Sequence, residues 1–421
     1  MLATCDPHNP EAAAYGAGQP ETERLAGRRF LVVTAPFGPF GRILAQELRR
    51  PGAQVDRMLF NAGDEFYWRG PGAIRFKQPP NTWEQRLLRM AGDYSDILVF
   101  GEGGGFNQAV LRNTARLEAR VWVLENGYFR PDWVTLERNG VNASSALPRA
   151  PSAYAGPSPK TPMTRPVGRI LPHHVINISW YHLIQLPGRL LYPNYVAPFT
   201  QPPWLQCAGH IRRYIGLAFQ PKSRCETATI AARGPFFVVC LQREGDAQLL
   251  RYSRLADNTA FLNELMSSFT AHAPKDARLV VKNHPLDPGL LDLGKVTRIL
   301  ADEHGLADRV DFIDGGNLAH LCRASRGMVV NNSSAALSAL GFHTPVKVLG
   351  EAFFNFEGLT DQQDLGDFWN APQAPDEALF TRFRAHVIAR SQINGNFHGP
   401  QAQQPTAQAL AEVFEGRRGD L

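Results

Sequence analysis

Arg29-Phe-Leu-Val-Val-Thr-Ala-Pro-Phe-Gly-Pro-Phe-Gly41 sets an apolar run before a turn rich in Gly and Pro, and a helical stretch follows over 42–50. A run this short and this apolar reads as a strand buried on both faces of a parallel sheet. Further runs follow at Met58-Leu59-Phe60, Ile97-Leu98-Val99-Phe100 and Val121-Trp122-Val123-Leu124. Helix-like segments separate them, as at 83–90 and 108–119. Strands joined by crossovers of this length make a parallel sheet with helices on both sides. A second series begins near Pro235 with the run 236–241. Phe261, Leu262, Leu265, Met266 and Phe269 fall on one helical face. Apolar runs at 279–281, 310–313, 328–330 and 346–349 complete the series. The expected architecture is α/β, with two Rossmann-like domains facing a central cleft. Ligands in such sheets sit beyond the carboxyl ends of the strands.

A chain of 421 residues fits two domains. Residues 1–27 have no periodicity and read as a disordered tail. The first domain is expected over 28–170 and the second over 235–395, with 396–421 as a C-terminal tail. Between the domains lies 171–234, a connecting region rich in aromatic, proline and basic residues. Its stretch 176–219 suits either ordinary interdomain packing or a membrane interface. The Pro- and Ser-rich segment 146–168 reads as a surface loop.

With 44% hydrophobic and 20% charged residues, global disorder is not expected. The net charge of +5 suits an anionic ligand or surface, and equally a protein with neither. Five cysteines, an odd number without a CxxC pair, argue against structural zinc and a disulfide framework. The N-terminus lacks the features of a signal peptide, and no apolar run reaches the roughly 20 residues of a spanning helix. A cytoplasmic protein is expected, peripheral on the inner membrane at most. The basic residues are scattered without a nucleic-acid-binding pattern.

The segments that could carry chemistry follow expected strands. The turn with Gly38 and Pro39 fits a tight turn as well as a binding loop. So does Gly101-Glu-Gly-Gly-Gly-Phe-Asn107. The segment Glu125-Asn-Gly-Tyr-Phe-Arg130-Pro-Asp-Trp-Val-Thr-Leu-Glu137-Arg-Asn-Gly-Val-Asn142 is a dense polar and aromatic loop. Glu125 ends a strand, where a buried carboxylate is costly without a partner or a role. Arg130, Asp132 and Glu137 could instead form an ion-pair network. Gln242-Arg-Glu-Gly-Asp246 offers two acids, and a carboxylate can serve as nucleophile in a retaining sugar transfer. Lys282-Asn-His284-Pro285 delivers a cation and a histidine to a strand end, a fit for an anion. In Asn332-Ser333-Ser334 small hydroxyl residues open a helix, as an N-cap or a phosphate site.

At these residues the chain resembles the bacterial capsule polysaccharide proteins of the KpsS type, retaining β-Kdo transferases. The likeness runs over about 29–395. It rests on APFGPFG, on Asn61-Ala-Gly-Asp64-Glu-Phe-Tyr67, on the Glu125–Asn142 segment, and on QREGD, VKNHP, NNSSAALSAL and TPVKVLGEAFFNFEGLT. The resemblance implies a GT-B-like pair of domains, CMP-Kdo as donor and a lipid or Kdo-lipid acceptor at the inner membrane. Its Gln-x-x-x-Asp motif falls on Gln242 and Asp246, and implies Asp246 as the catalytic carboxylate. His284 and Pro285, with Asn332, Ser333 and Ser334, are implied to hold the CMP phosphate, with Lys282 beside them. Glu125 is implied as a second carboxylate and candidate base. Gly38, Pro39, Asn61, Asp64, Arg130 and Asn142 are expected on the acceptor side of the cleft. No DxD motif is present, and neither metal nor cofactor is expected beyond the donor itself. A capsule assembly or export complex is an expected partner. Three departures stand out. Asn126 occupies a position where relatives often have Glu, Arg243-Glu244-Gly245 is unusually charged, and the leading tail is extra. Two alternatives are a transferase of this fold using another nucleotide sugar and a non-catalytic capsule assembly or export protein.

Overall fold

The computed structural model of the protein describes residues 25–197, 201–255 and 257–416. In chain order the first strands are β1 (Arg29–Val32), β2 (Gln54–Leu59), β3 (Ala73–Arg75), β4 (Asp96–Phe100), β5 (Arg120–Asn126) and β6 (Trp133–Arg138). They are followed by β7 (Phe236–Cys240), β8 (Arg278–Lys282), β9 (Val310–Ile313), β10 (Gly327–Val330), β11 (Val346–Val348) and β12 (Gln392–Asn394). The first sheet has the order β12-β6-β5-β4-β1-β2-β3 and the second the order β11-β10-β7-β8-β9. The second sheet is parallel throughout. In the first, β6 runs antiparallel to both β5 and β12. The expected two Rossmann-like domains are present in a GT-B-like arrangement.

In each sheet the central strands are apolar because both faces are covered. All five residues of Phe236–Cys240 are buried. Val238 lies opposite Met328 on one side and Val280 on the other. In the first sheet Leu31 lies between Asp56 and Ile97. The chain steps outward from β1 to β3, then jumps back to β4 on the other side of β1. It does the same from β7 to β9 and back to β10. The strand order therefore reverses between β1 and β4 and between β7 and β10, and crevices open at such points.

Several boundaries differ from those read in the sequence. The expected tail 396–421 is, over its described part, a returning arm. Strand β12 pairs with β6, and the helix Pro400–Phe414 packs against the helix Phe40–Arg49 of the first domain. Phe414 makes edge contacts with Phe30 at 5.5 Å and Trp122 at 5.1 Å. Its carbonyl accepts from the buried Arg28, whose guanidinium also holds Asp96. At the other end, residues 1–24 of the expected N-terminal tail lie outside the described residues, whereas Leu25 is buried in the first core.

The segment 125–142 is not one loop: it ends β5, turns over 127–132 and runs back antiparallel as β6. Its acids and Arg130 do not pair with one another. Glu137 is bound by the Tyr128 and Ser145 hydroxyls, Asp132 accepts from the Val167 N–H, and Arg130 donates to the Gly127 carbonyl.

The connecting region forms the helices Leu171–Gly188 and Pro203–Ala218 on the outside of the molecule. Only Tyr181 and Gly188 of the first and Gly209 of the second are buried. No helix among the described residues is long and apolar enough to cross a membrane.

If the C-terminal arm completes the first core, Phe414→Ala should cost about 3–5 kcal/mol in denaturant unfolding. A loss within about 0.5 kcal/mol, ordinary for a surface site, would contradict that placement.

Candidate functional site

The loops at the two reversal points face each other. From the first domain comes 101–104 after β4, while 34–39 after β1 is covered by the helix Leu171–Gly188. From the second come 241–246 after β7 and 331–334 after β10. Glu125 joins them from the end of β5.

Gln248 ties the two sets together. Its side-chain amide donates to Glu102 Oε2 at 3.3 Å, and its carbonyl oxygen accepts from the Ala143 N–H at 3.5 Å. Its own backbone is held within the second domain. Asp246 Oδ1 accepts the Gln248 N–H at 2.8 Å, and Asn332 Nδ2 donates to the Gln248 carbonyl at 2.9 Å. A second bridge joins the Ser144 and Tyr252 hydroxyls.

Three carboxylates gather at this junction. Glu102 is buried and accepts the Val141 N–H at 2.8 Å. Glu125 is half-buried, and its Oε1 accepts the Asn126 N–H at 3.0 Å. Its Oε2 would stand 2.8 Å from a Cβ at residue 101, where φ is +68°. Glycine is needed at 101 both for that backbone and for that approach. Burial pushes the Glu125 carboxyl up, and the Asp246 and Glu102 charges add to the rise. The Asn126 N–H and Arg130 pull the other way. The two carboxylates implied as catalytic, from different domains, are therefore within electrostatic reach of each other.

Beside them stands His284. Burial pushes its imidazole down to about 4, and Arg130, Arg243, Lys282 and Arg213 add to the fall. Its Nδ1 accepts the Leu286 N–H at 3.1 Å. In the neutral ring the proton then belongs on Nε2, which becomes a donor. Arg130 reaches this histidine from the first domain. Arg213, on the helix Pro203–Ala218, braces the loop. It donates to the carbonyls of Pro285 at 2.9 Å and Asp287 at 2.5 Å, and pairs with Asp314. Lys282 is buried, and that burial lowers its ammonium. The arrangement is a cation-ringed donor suited to an anion. Nearby, Cys225, Asp314, Gly315, Gly316, Asn317 and His320 line part of an open depression of about 590 Å³.

Other residues picked out in the sequence hold the scaffold. Gln242 is buried, and its Oε1 accepts the Asn332 N–H at 3.4 Å, joining the loops after β7 and β10. Glu244 is bound by Asn258 at 2.7 Å, leaving Asp246 as the acid of that loop turned toward Glu125. Ser333 Oγ accepts from the Ala335 N–H at 3.3 Å, while Ser334 makes no side-chain cap.

On the acceptor side, Asn61 caps the helix Ala62–Trp68, and Asp64 pairs with Arg57. Asn61 and Asp64 both hydrogen-bond Tyr181 of the helix Leu171–Gly188. Gly38 and Pro39 lie at the same place: a Cβ on Gly38 would sit 2.5 Å from Asn177 Nδ2. Asn61 and Asp64 anchor that helix to the first domain, Gly38 leaves it room, and Pro39 opens the helix Phe40–Arg49. Asn142 has φ +55° and donates its N–H to Tyr128, a turn position. Arg130 is the residue of this group that reaches the cleft chemistry.

A family model described as "Capsule polysaccharide biosynthesis protein" matches residues 95–398. The chain belongs to this family. It is 30% identical over 388 residues to "Capsule polysaccharide export protein KpsS" of Escherichia coli, covering 90% of this chain and 100% of that one. It is 32% identical over 392 residues to "Capsule polysaccharide modification protein LipB" of Neisseria meningitidis serogroup B, covering 89% and 92%. Among solved structures it is similar to "Thermosulfurimonas dismutans KpsC, beta Kdo 2,7 transferase" at 15% identity, with a TM-score of 0.43 over 92% of this chain and 100% of that one.

Sequence reading gave no site role to Glu102, Gln248, Arg243 or Arg213, though it marked the charge of Arg243 as unusual. A carboxylate among glycines at a strand end was a usable signal for Glu102. Gln248 and Arg213 act through contacts that no local pattern marks.

Glu137 yields a pH prediction. Burial raises it from 4.5 to about 7. Between those values the folded form holds a proton that the unfolded form has lost, so stability falls as pH rises through this window. Glu137→Gln should flatten that fall, seen in urea unfolding at the two ends of the window. An unchanged slope would show that Glu137 does not titrate there.

Proposed function

We propose that the chain is a retaining glycosyltransferase of capsule polysaccharide synthesis. It moves Kdo from CMP-Kdo to a phosphatidylglycerol-type lipid or to Kdo-lipid, on the cytoplasmic face of the inner membrane. The observation that carries this is the junction itself, where Glu125 and Asp246 from opposite domains meet beside a cation-ringed His284. Family membership supports the pathway.

CMP-Kdo carries two anionic groups, the phosphate and the sugar carboxylate. In this reading His284 Nε2–H donates to the phosphate, and Lys282 and Arg243 supply charge. Arg130 takes the sugar carboxylate. The depression beside Asp314 offers room for the nucleoside. CMP leaves with a single phosphate, so these cations can balance its charge without a metal, and a chelator should leave the rate unchanged.

The Asp246 carboxylate attacks the anomeric carbon as the bond to the CMP phosphate oxygen breaks. The acceptor hydroxyl then attacks the same carbon, its proton passes to Glu125, and Asp246 is released. Two displacements give net retention. A raised pKa makes Glu125 a stronger base in the second step.

The test is incubation with CMP-Kdo, generated in place, and a phosphatidylglycerol-type acceptor, read by mass spectrometry. Addition of Kdo is expected. Asp246→Asn should lower kcat by about 10³-fold or more while CMP still binds. Full transfer by that variant would remove Asp246 from its role. At about one hundred times its Kd, CMP should stabilise the fold by about 2.7 kcal/mol, and UDP should not. Stabilisation by UDP alone would favour another nucleotide sugar. Failure to bind any nucleotide would favour a non-catalytic assembly protein.

A further inference from the structure

The helices Leu171–Gly188 and Pro203–Ala218 leave an unusual surface. Fourteen of the nineteen exposed large apolar side chains among the described residues lie between 171 and 219. Leu190 is 90% exposed, Phe219 85%, Trp204 67% and Leu186 64%. Soluble proteins rarely expose so many large apolar side chains in one stretch of chain without a partner. The first helix turns Leu171, Val175, Ile176, Trp180, Leu183 and Leu186 outward, side chains that call for cover.

Charge identifies the cover. From Lys160 to Cys225 the sequence holds eight Lys and Arg residues and no Asp or Glu, and of these Arg213 is taken up by Asp314. Elsewhere acids are common, 39 in the whole chain. Apolar and aromatic side chains mixed with cations and free of acids match the interface of an anionic bilayer. A second copy docking through the same patch would set like charge against like charge, which is unfavourable in a symmetric contact. Since neither helix is suited to span a membrane, the fitting mode is to lie in the headgroup region.

We propose that this surface seats the protein on an anionic phospholipid bilayer, with its exposed Trp and Leu side chains inserted at the interface. The seat is joined directly to the cleft. Arg213 on the second helix grips the loop of His284, and Gln206 on the same helix accepts from Arg243. Asn177 and Tyr181 on the first helix press on the turn at Gly38 and on Asn61. A seated protein therefore holds the His284 side of the cleft near the headgroups, with the first domain fixed to the same seat through Tyr181. The surface stands independently of the sugar-transfer reading and adds to it the place where a lipid acceptor would enter.

The full chain should float with vesicles one-third phosphatidylglycerol in phosphatidylcholine, and much less with pure phosphatidylcholine or in high salt. Tryptophan fluorescence should shift to shorter wavelength on binding. Leu190→Glu and Trp204→Glu lie outside the cleft and should each weaken partitioning by about tenfold or more. CMP binding should be retained, which separates loss of the seat from loss of the donor site. Three results would overturn the proposal: no flotation with anionic vesicles, flotation that both variants leave unchanged, or a stable dimer in solution that the variants split into monomers.

Discussion

The site depends on one electrostatic constraint: carboxylates from two domains are drawn out of water into the same junction. Ionised carboxylates in such a place repel one another and lose solvation. The structure offsets this with groups on both sides. Gln248 and the Val141 N–H bind Glu102, the Asn126 N–H binds Glu125, and the Gln248 N–H binds Asp246. Arg130 and Arg243 add positive charge from opposite domains. The domains must stay in register for these partners to be present together. Gln248 is the small hinge of that register, because each end of its amide reaches a different loop of the first domain.

The returning C-terminal arm serves the same end. By adding β12 beside β6 and packing Phe414 against Phe30 and Trp122, the chain ends in the domain where it began. The two domains are thus joined by two crossings of the chain, one through the helices on the outer surface and one through β12. The outer helices grip the first domain through Tyr181 and the second through Arg213.

Much of the fold was legible in the sequence because the central strands are apolar on both faces. The runs at Arg29, Ile97, Phe236 and Leu279 could hardly be anything else. Strand β6 was not legible, since its Thr135 and Glu137 read as loop residues. They are tolerated inside because Gln392, Tyr128 and Ser145 supply partners from elsewhere. Strand β12 is three residues paired across some 260 positions, and no local pattern announces that. At the site, Glu125, Asp246, His284 and Arg130 were visible as polar residues at strand ends, and they do meet. Asn61, Asp64 and Gly38 carried the same kind of signal but anchor a helix. A sequence marks where polar groups follow strands; only the packing shows whether an open cleft or another helix lies above them.

Under the proposed function Asp246 forms a bond to the donor sugar across from Glu125. The most direct test of that bond is to mix the protein with CMP-Kdo without acceptor, quench, digest and weigh the peptides. A peptide containing Asp246 should be heavier by one Kdo residue, with the adduct absent from Asp246→Asn and discharged when acceptor is added. Turnover with no adduct on Asp246, or an adduct on the Glu125 peptide instead, would contradict it.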